Sequence, residues 1–337
     1  MKYYHYRTTI TIRILCAMFL WNRCATSFLA RPQSYLFHSS TKCGLNRFLF
    51  DPSEVLSSNA TIITELSMVP RVVLSKDDYR TIHAAKILGL RNGDTIRAGL
   101  VEQELWTDAA SIQWLPEGKV KKAEPLAKSG NPPGSLQIDL HGLQSSNTNE
   151  KDDLCVSLML ALPRPLQLGR MLPMIAQMGV EHLILTGAQK VPKDYFGSHL
   201  FRKPSLLTEK LIEGLCQAGD VRLPKVWIRK NIRDFLASSE LNMLFPRDEY
   251  ARVVAHPQRR EEENAYVCQR MASVQFPPGR PKRILIAVGP EGGWEEPDEL
   301  DKFEENGFQQ VTLGKRILRS DVAVVSLLSL ANEVCQE

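Results

Sequence analysis

The chain has 337 residues, 42 Lys/Arg against 38 Asp/Glu, a formal net charge of +4 and 43% hydrophobic residues. That balance excludes a highly charged disordered chain and leaves length for two domains with cores of their own. Seven cysteines without a Cys-x-x-Cys, and scattered histidines, argue against a disulfide framework or a zinc site, so no metal is predicted.

In chain order, the first 50 residues contain seven Lys/Arg and no Asp or Glu. They carry one apolar run, Ile14 to Trp21, too short to span a membrane. Residues 1–45 therefore read as a targeting leader outside the fold. Without those 50 residues, 35 basic side chains face 38 acidic ones, so any surface that binds a polyanion must be a local patch. Candidates are Arg71, Lys76, Arg80, Lys86, Arg91 and Arg97, with Lys121 and Lys122.

Residues 46–143 show short alternating strands, such as 95–98 and 136–140, that suit a small β-barrel. Polar turn formers then mark a linker at 144–153. From 154 to 337 strand and helix alternate: a strand over 154–162, a helix over 166–178, a strand over 183–186, a helix over 206–218 and a strand over 225–229. This order predicts a parallel α/β sheet flanked by helices.

The C-terminal end carries the chemistry. An apolar strand over 283–288 runs into Gly289-Pro290-Glu291-Gly292-Gly293. A helix follows, with Glu295, Glu296, Asp298 and Glu299 in its first turns, and stops near Asn306-Gly307. A strand over 310–313 meets Gly314 and the loop Lys315-Arg316-Ile317-Leu318-Arg319. The last helix opens at Ser320 or Asp321, both good caps, with Ala323, Val324, Leu327, Leu328, Ala331 and Val334 at helical spacing. Alone, the first glycine turn is equally an ordinary βα turn. Neither a Gly-x-x-x-x-Gly-Lys-Ser/Thr phosphate loop nor a Gly-x-Gly-x-x-Gly motif is present.

Together, GPEGG and the later LGKRILRSDVA resemble the signature of the RsmE family of SPOUT methyltransferases. These methylate N3 of a uridine in small-subunit ribosomal RNA with S-adenosylmethionine. The resemblance extends from about residue 46 onward, including a segment over 71–99 similar to a PUA-like RNA-binding barrel, Leu162-Pro163-Arg164-Pro165, and His256-Pro257. It implies a trefoil-knotted SPOUT domain, a homodimer sharing the site, and a cofactor pocket lined by Gly289, Pro290, Glu291, Gly292, Gly293, Leu313, Gly314, Ile317 and Leu318. Arg316 and Lys86 would meet the RNA. Arg319, Asp321 and Arg164 would be catalytic: Arg319 stabilising an anionic uracil, Asp321 orienting it or accepting the proton, Arg164 touching phosphate or base.

The chain departs from the family in its middle helices, where Gln177 and the run Cys216 to Asp220 replace usual charged residues. A non-catalytic RNA-binding ribosome-assembly protein, or a methyltransferase of another RNA, therefore stays open. The leader resembles the bipartite leader of plastid proteins, with a mitochondrial presequence as competitor. Either organelle holds a bacterial-type ribosome, and no membrane role is expected.

Overall fold

The computed structural model describes residues 47–56, 69–116, 132–146, 154–256 and 268–336. The expected leader over residues 1–45, Lys121 and Lys122 lie outside these residues.

The N-terminal part is built on β1 (Phe48–Phe50), β2 (Arg71–Leu74), α1 (Tyr79–Lys86), β3 (Thr95–Leu100), β4 (Leu105–Pro116), β5 (Gly134–Asp139) and β6 (Gln144–Ser145). Among the described residues the strands run β1-β3-β4-β5-β2, with β6 on β4. The segment after β1 also reaches the far end of this path: Val55 bridges Val72, and the Leu56 amide donates to the Arg71 carbonyl at 2.7 Å. The sheet is thus rolled around a core of alternating residues such as Val72, Leu74, Leu136 and Ile138. The predicted linker begins two residues too early, since Gln144 and Ser145 pair with Trp106 and Leu105. Residues 147–153 fall outside the description.

The second part is a parallel sheet, as expected. It contains β7 (Val156–Ala161), β8 (Val180–Thr186), β9 (Lys225–Arg229), β10 (Tyr250–Ala255), β11 (Arg283–Val288) and β12 (Phe308–Val311) in the order β12-β10-β11-β7-β8-β9. Six consecutive buried residues in β7 and five in β11 reflect helices covering both faces. These helices are α2 (Pro165–Gln177), α3 (His199–Arg202), α4 (Pro204–Ala218), α5 (Ile232–Ala237), α6 (Ser239–Leu244), α7 (Asp298–Glu305) and α8 (Ser320–Gln336). The chain places β12 beyond β10 and then returns, so that α8 packs against β11, β7 and α2. That return is the passage on which the expected knot depends.

Two boundaries differ from the sequence reading. The last strand ends at Val311 rather than Leu313, because Thr312 folds back: its hydroxyl accepts from the Gly314 amide at 3.1 Å. Helix α7 begins only at Asp298, which leaves Glu295 and Glu296 in the preceding loop.

Helices α2 and α4 approach closely at Gly214, where a β-carbon would lie 2.1 Å from the Pro173 carbonyl oxygen. The substituted positions pack locally too. Gln177 donates to Gln217 across α2 and α4, Cys216 is buried, and Asp220 accepts from the Val221 and Arg222 amides after the left-handed cap Gly219.

Arg47 ties the first sheet to the end of α4. Its Nε donates to the Gly219 carbonyl at 2.8 Å beyond α4, Nη1 to the Ala98 carbonyl at 3.0 Å in β3, and Nη2 pairs with Asp108 at 3.0 Å. Desolvation on burial lowers its pKa, opposed by Asp108.

Candidate active site

In parallel α/β sheets, ligand sites form beyond the carboxyl ends of the strands, where the loops gather. Here five such loops meet: Pro163-Arg164 after β7, Gly187 to Lys190 after β8, His256 after β10, the GPEGG turn after β11 and residues 312–319 after β12.

The GPEGG turn is fixed by a bond from the Gly293 amide to the Pro290 carbonyl at 2.8 Å, and Gly293 has φ +70°, which favours glycine. Trp294 is buried directly beneath: a β-carbon on Gly289 would stand 3.3 Å from its Nε1. The buried carboxylate of Glu299 accepts from the Gln189 amide at 2.8 Å and the Glu295 amide at 2.7 Å, bracketing two loops. Lys190 adds a bond to the Trp294 carbonyl at 3.0 Å. The sequence reading placed Glu299 only among the acidic residues in the first turns of this helix. Its position inside the first turn of α7 was the signal for an inward-facing acid.

The second loop hangs on Gly314, at φ +105°. Beyond it Arg316, Ile317 and Leu318 are exposed, Ile317 by 89%. Arg319 grips Asp321 through both ends of its guanidinium, Nε to Oδ1 at 2.9 Å and Nη2 to Oδ2. Asp321 also accepts from the Val322 amide at 2.9 Å and from Gln167 Nε2 at 2.7 Å. The hydrogen bond from Arg319 is the main cause of the fall in the Asp321 pKa to about 2. With both oxygens engaged and its proton held so weakly, Asp321 is built to orient Arg319 rather than to accept a proton; of the two roles expected for it, positioning is the one this geometry favours. Gln167, the partner that joins α2 to α8, was not foreseen.

Arg164 pairs with Glu291 at 3.2 Å, with both side chains largely exposed, so this expected catalytic arginine stands beside the glycine turn. His256 faces Glu296, Nε2 to Oε1 at 3.1 Å. Lys86 is exposed at the end of α1 in the rolled sheet, and among the described residues no hydrogen bond or ion pair ties it to these loops. Arg80 is not an RNA contact: it is buried between Asp78 and Glu54. Arg71 pairs with Asp139 at 2.5 Å.

The cleft fits a ligand with a flat apolar ring and polar edges. A β-carbon on Gly293 or Gly314 would meet open space, whereas Trp294 covers Gly289 and Lys190 lies against Gly292; Leu313, Ile317 and Leu318 offer apolar surface. Among the described residues, the buried donors Trp294 Nε1 and Ser320 Oγ find no protein partner there. A family model described as an RNA methyltransferase domain matches residues 150–332, more than half of the chain.

The chain belongs to the RsmE-type family of RNA methyltransferases. Ribosomal RNA small subunit methyltransferase E of Treponema pallidum is 24% identical over 282 residues, covering 83% of this chain and 87% of that protein. The protein of that name from Mesomycoplasma hyopneumoniae is 48% identical over 52 residues, 15% of this chain and 22% of its own. Among solved structures, the Neisseria gonorrhoeae small-subunit methyltransferase E bound to S-adenosyl methionine superposes with a TM-score of 0.57 at 18% identity, covering 86% of this chain and 97% of that one. A putative methyltransferase of Legionella pneumophila with bound SAM gives 0.53 at 17% identity, covering 86% and 97%. Family members thus share this α/β fold.

Proposed function

We propose that the chain methylates N3 of a uridine in small-subunit ribosomal RNA, using S-adenosylmethionine held between the GPEGG turn and the 313–318 loop. The observation that carries this reading is the Arg319, Asp321 and Gln167 bracket standing beside two glycine loops at the sheet's carboxyl edge. The names of the relatives and the SAM-bound neighbours support it.

S-adenosylmethionine supplies a methyl group on a sulfonium. The residues of this chain would hold the acceptor. Arg319, its side chain 70% exposed but fixed at one end by Asp321, presents a cation to the uracil, whose N3 must lose its proton to react. Asp321 keeps that cation in place, and solvent takes the proton. Arg164 and Arg316 bind neighbouring phosphates, and the rolled sheet with Lys86 and Arg91 serves as a PUA-like RNA platform.

The active form is a homodimer. Leu166 at the head of α2, 77% exposed, and the exposed Ile317 and Val322 at the head of α8 leave apolar surface around the site that a second subunit would cover. Residues 1–45 direct the chain to a plastid, with the mitochondrion as the other destination.

The test is methyl transfer from labelled S-adenosylmethionine to small-subunit RNA or particles lacking the modification, followed by nucleoside analysis. 3-Methyluridine is the expected product. Cofactor binding without any methylated nucleoside would favour the ribosome-assembly reading, and another methylated nucleoside would favour a different target.

A further inference from the structure

At the opposite end of the same sheet lies a feature that the proposed reaction does not use. Arg252 sits inside β10 and is 1% exposed. All its partners are neutral: Nε donates to the Phe245 carbonyl at 3.1 Å, Nη1 to the Asn306 carbonyl at 2.9 Å, and Nη2 to Asn242 Oδ1 at 2.7 Å and again to the Phe245 carbonyl. A second arginine, Arg247, stands beside it. It donates to the Glu305 carbonyl at 2.8 Å and lies against Gly307, where a β-carbon would be 3.2 Å from its Cζ. Among the described residues, no ion pair includes either arginine, although the other two buried arginines are paired: Arg80 with Asp78 and Glu54, and Arg47 with Asp108. The nearby charge of Glu249 acts on Arg283.

A buried cation without a counterion is costly, and a like charge set beside it adds to the cost. Desolvation, with Arg247 contributing, lowers the Arg252 pKa to about 10. The carbonyls at the ends of α6 and α7 return part of this, roughly half a negative charge for each helix end against two full positive charges. A net positive charge remains. It borders a cleft of about 190 Å³ lined by Arg247, Arg252, Gln275, Phe276 and Gln309. That volume equals about six waters at ~30 Å³ each, enough for a tetrahedral oxyanion. Among the described residues Arg247 donates one hydrogen bond and so keeps most of its fork of donors for such a ligand.

We propose that the cleft between Arg247 and Arg252, at the amino ends of β10 and β12, binds a phosphate group. It is separated from the glycine loops by the length of the strands, roughly 20 Å at about 3.3 Å per residue. The phosphate comes either from an RNA backbone gripped at a second point or from a free phosphate or nucleotide.

The test titrates inorganic phosphate into the full chain and follows thermal unfolding and 31P line width at constant ionic strength. Phosphate should stabilise the wild type more than an equal ionic strength of chloride. Arg247→Gln, an exposed change, should weaken phosphate binding about tenfold or more while leaving S-adenosylmethionine affinity unchanged. Arg319→Ala should retain the phosphate response, which separates this cleft from the candidate active site. A short single-stranded RNA that displaces phosphate from the wild type assigns the site to the RNA backbone. RNA that binds without displacing it assigns the site to free phosphate or a nucleotide. No phosphate-specific stabilisation of the wild type, or an equal response in Arg247→Gln, would overturn the proposal and leave Arg252 a structural staple between two helix ends.

Discussion

The Nε2 of Gln167 donates to Oδ2 of Asp321 at 2.7 Å, joining the first turn of α2 to the first turn of α8. Residues 154 positions apart thereby fix the orientation of a third, Arg319. Asp321→Asn should keep the shape but loosen this grip. The expected result is a fall in methyl transfer of about a hundredfold, as for small misplacements of a reacting group, with cofactor affinity little changed. Arg319→Ala should abolish transfer. Full activity in either variant, measured with labelled S-adenosylmethionine, would remove the bracket from the mechanism.

Glu181 gives a prediction in pH. Burial alone would raise its pKa, but hydrogen bonds from His182 and Arg283 outweigh this and bring it from 4.5 down to about 2. A carboxyl with a depressed folded pKa adds stability that is present above its unfolded pKa and disappears as the pH falls through the folded one. Denaturation midpoints should therefore drop between about pH 4.5 and 2. Glu181→Gln should be less stable at neutral pH and show a shallower acid dependence over that window.

Gly214→Ala tests the packing of α2 on α4. A methyl group there meets the Pro173 carbonyl, which belongs to helix backbone and cannot turn aside. The expected loss is roughly 1–3 kcal/mol, read as a lower urea midpoint at unchanged slope. An unchanged midpoint would mean that the helices separate freely.

Arg47→Ala removes the bonds to β3 and β4 and to the cap of α4 at once. It should cost roughly 1–3 kcal/mol and split the melting curve into two transitions, one for each part. A single transition would show that apolar contacts such as Leu49 in the larger core suffice.

Much of this architecture was legible in the sequence because apolar periodicity and glycine turns report backbone geometry directly. The strand at Lys225–Arg229 and the helix from Ser320 are cases where the pattern and the fold coincide. β10 escaped notice for a physical reason: Arg252 breaks its apolar run, and only the helix ends packed around it make a buried arginine tolerable there. Arg80 deceived in the opposite direction, since nothing local tells a solvated arginine from one enclosed by Glu54 and Asp78. The Gln167 contact is equally non-local. It depends on the return of the chain after β12, which no spacing in the sequence encodes.

The Arg47 clamp also sets a boundary on maturation. If the proposed leader over residues 1–45 is cleaved, the cut must spare Arg47, because its loss would delete the guanidinium that holds Gly219, Ala98 and Asp108. On that proposal the mature terminus falls upstream of Arg47, and N-terminal sequencing of the protein from its own cells would show whether a cut occurs and how close to that limit it comes.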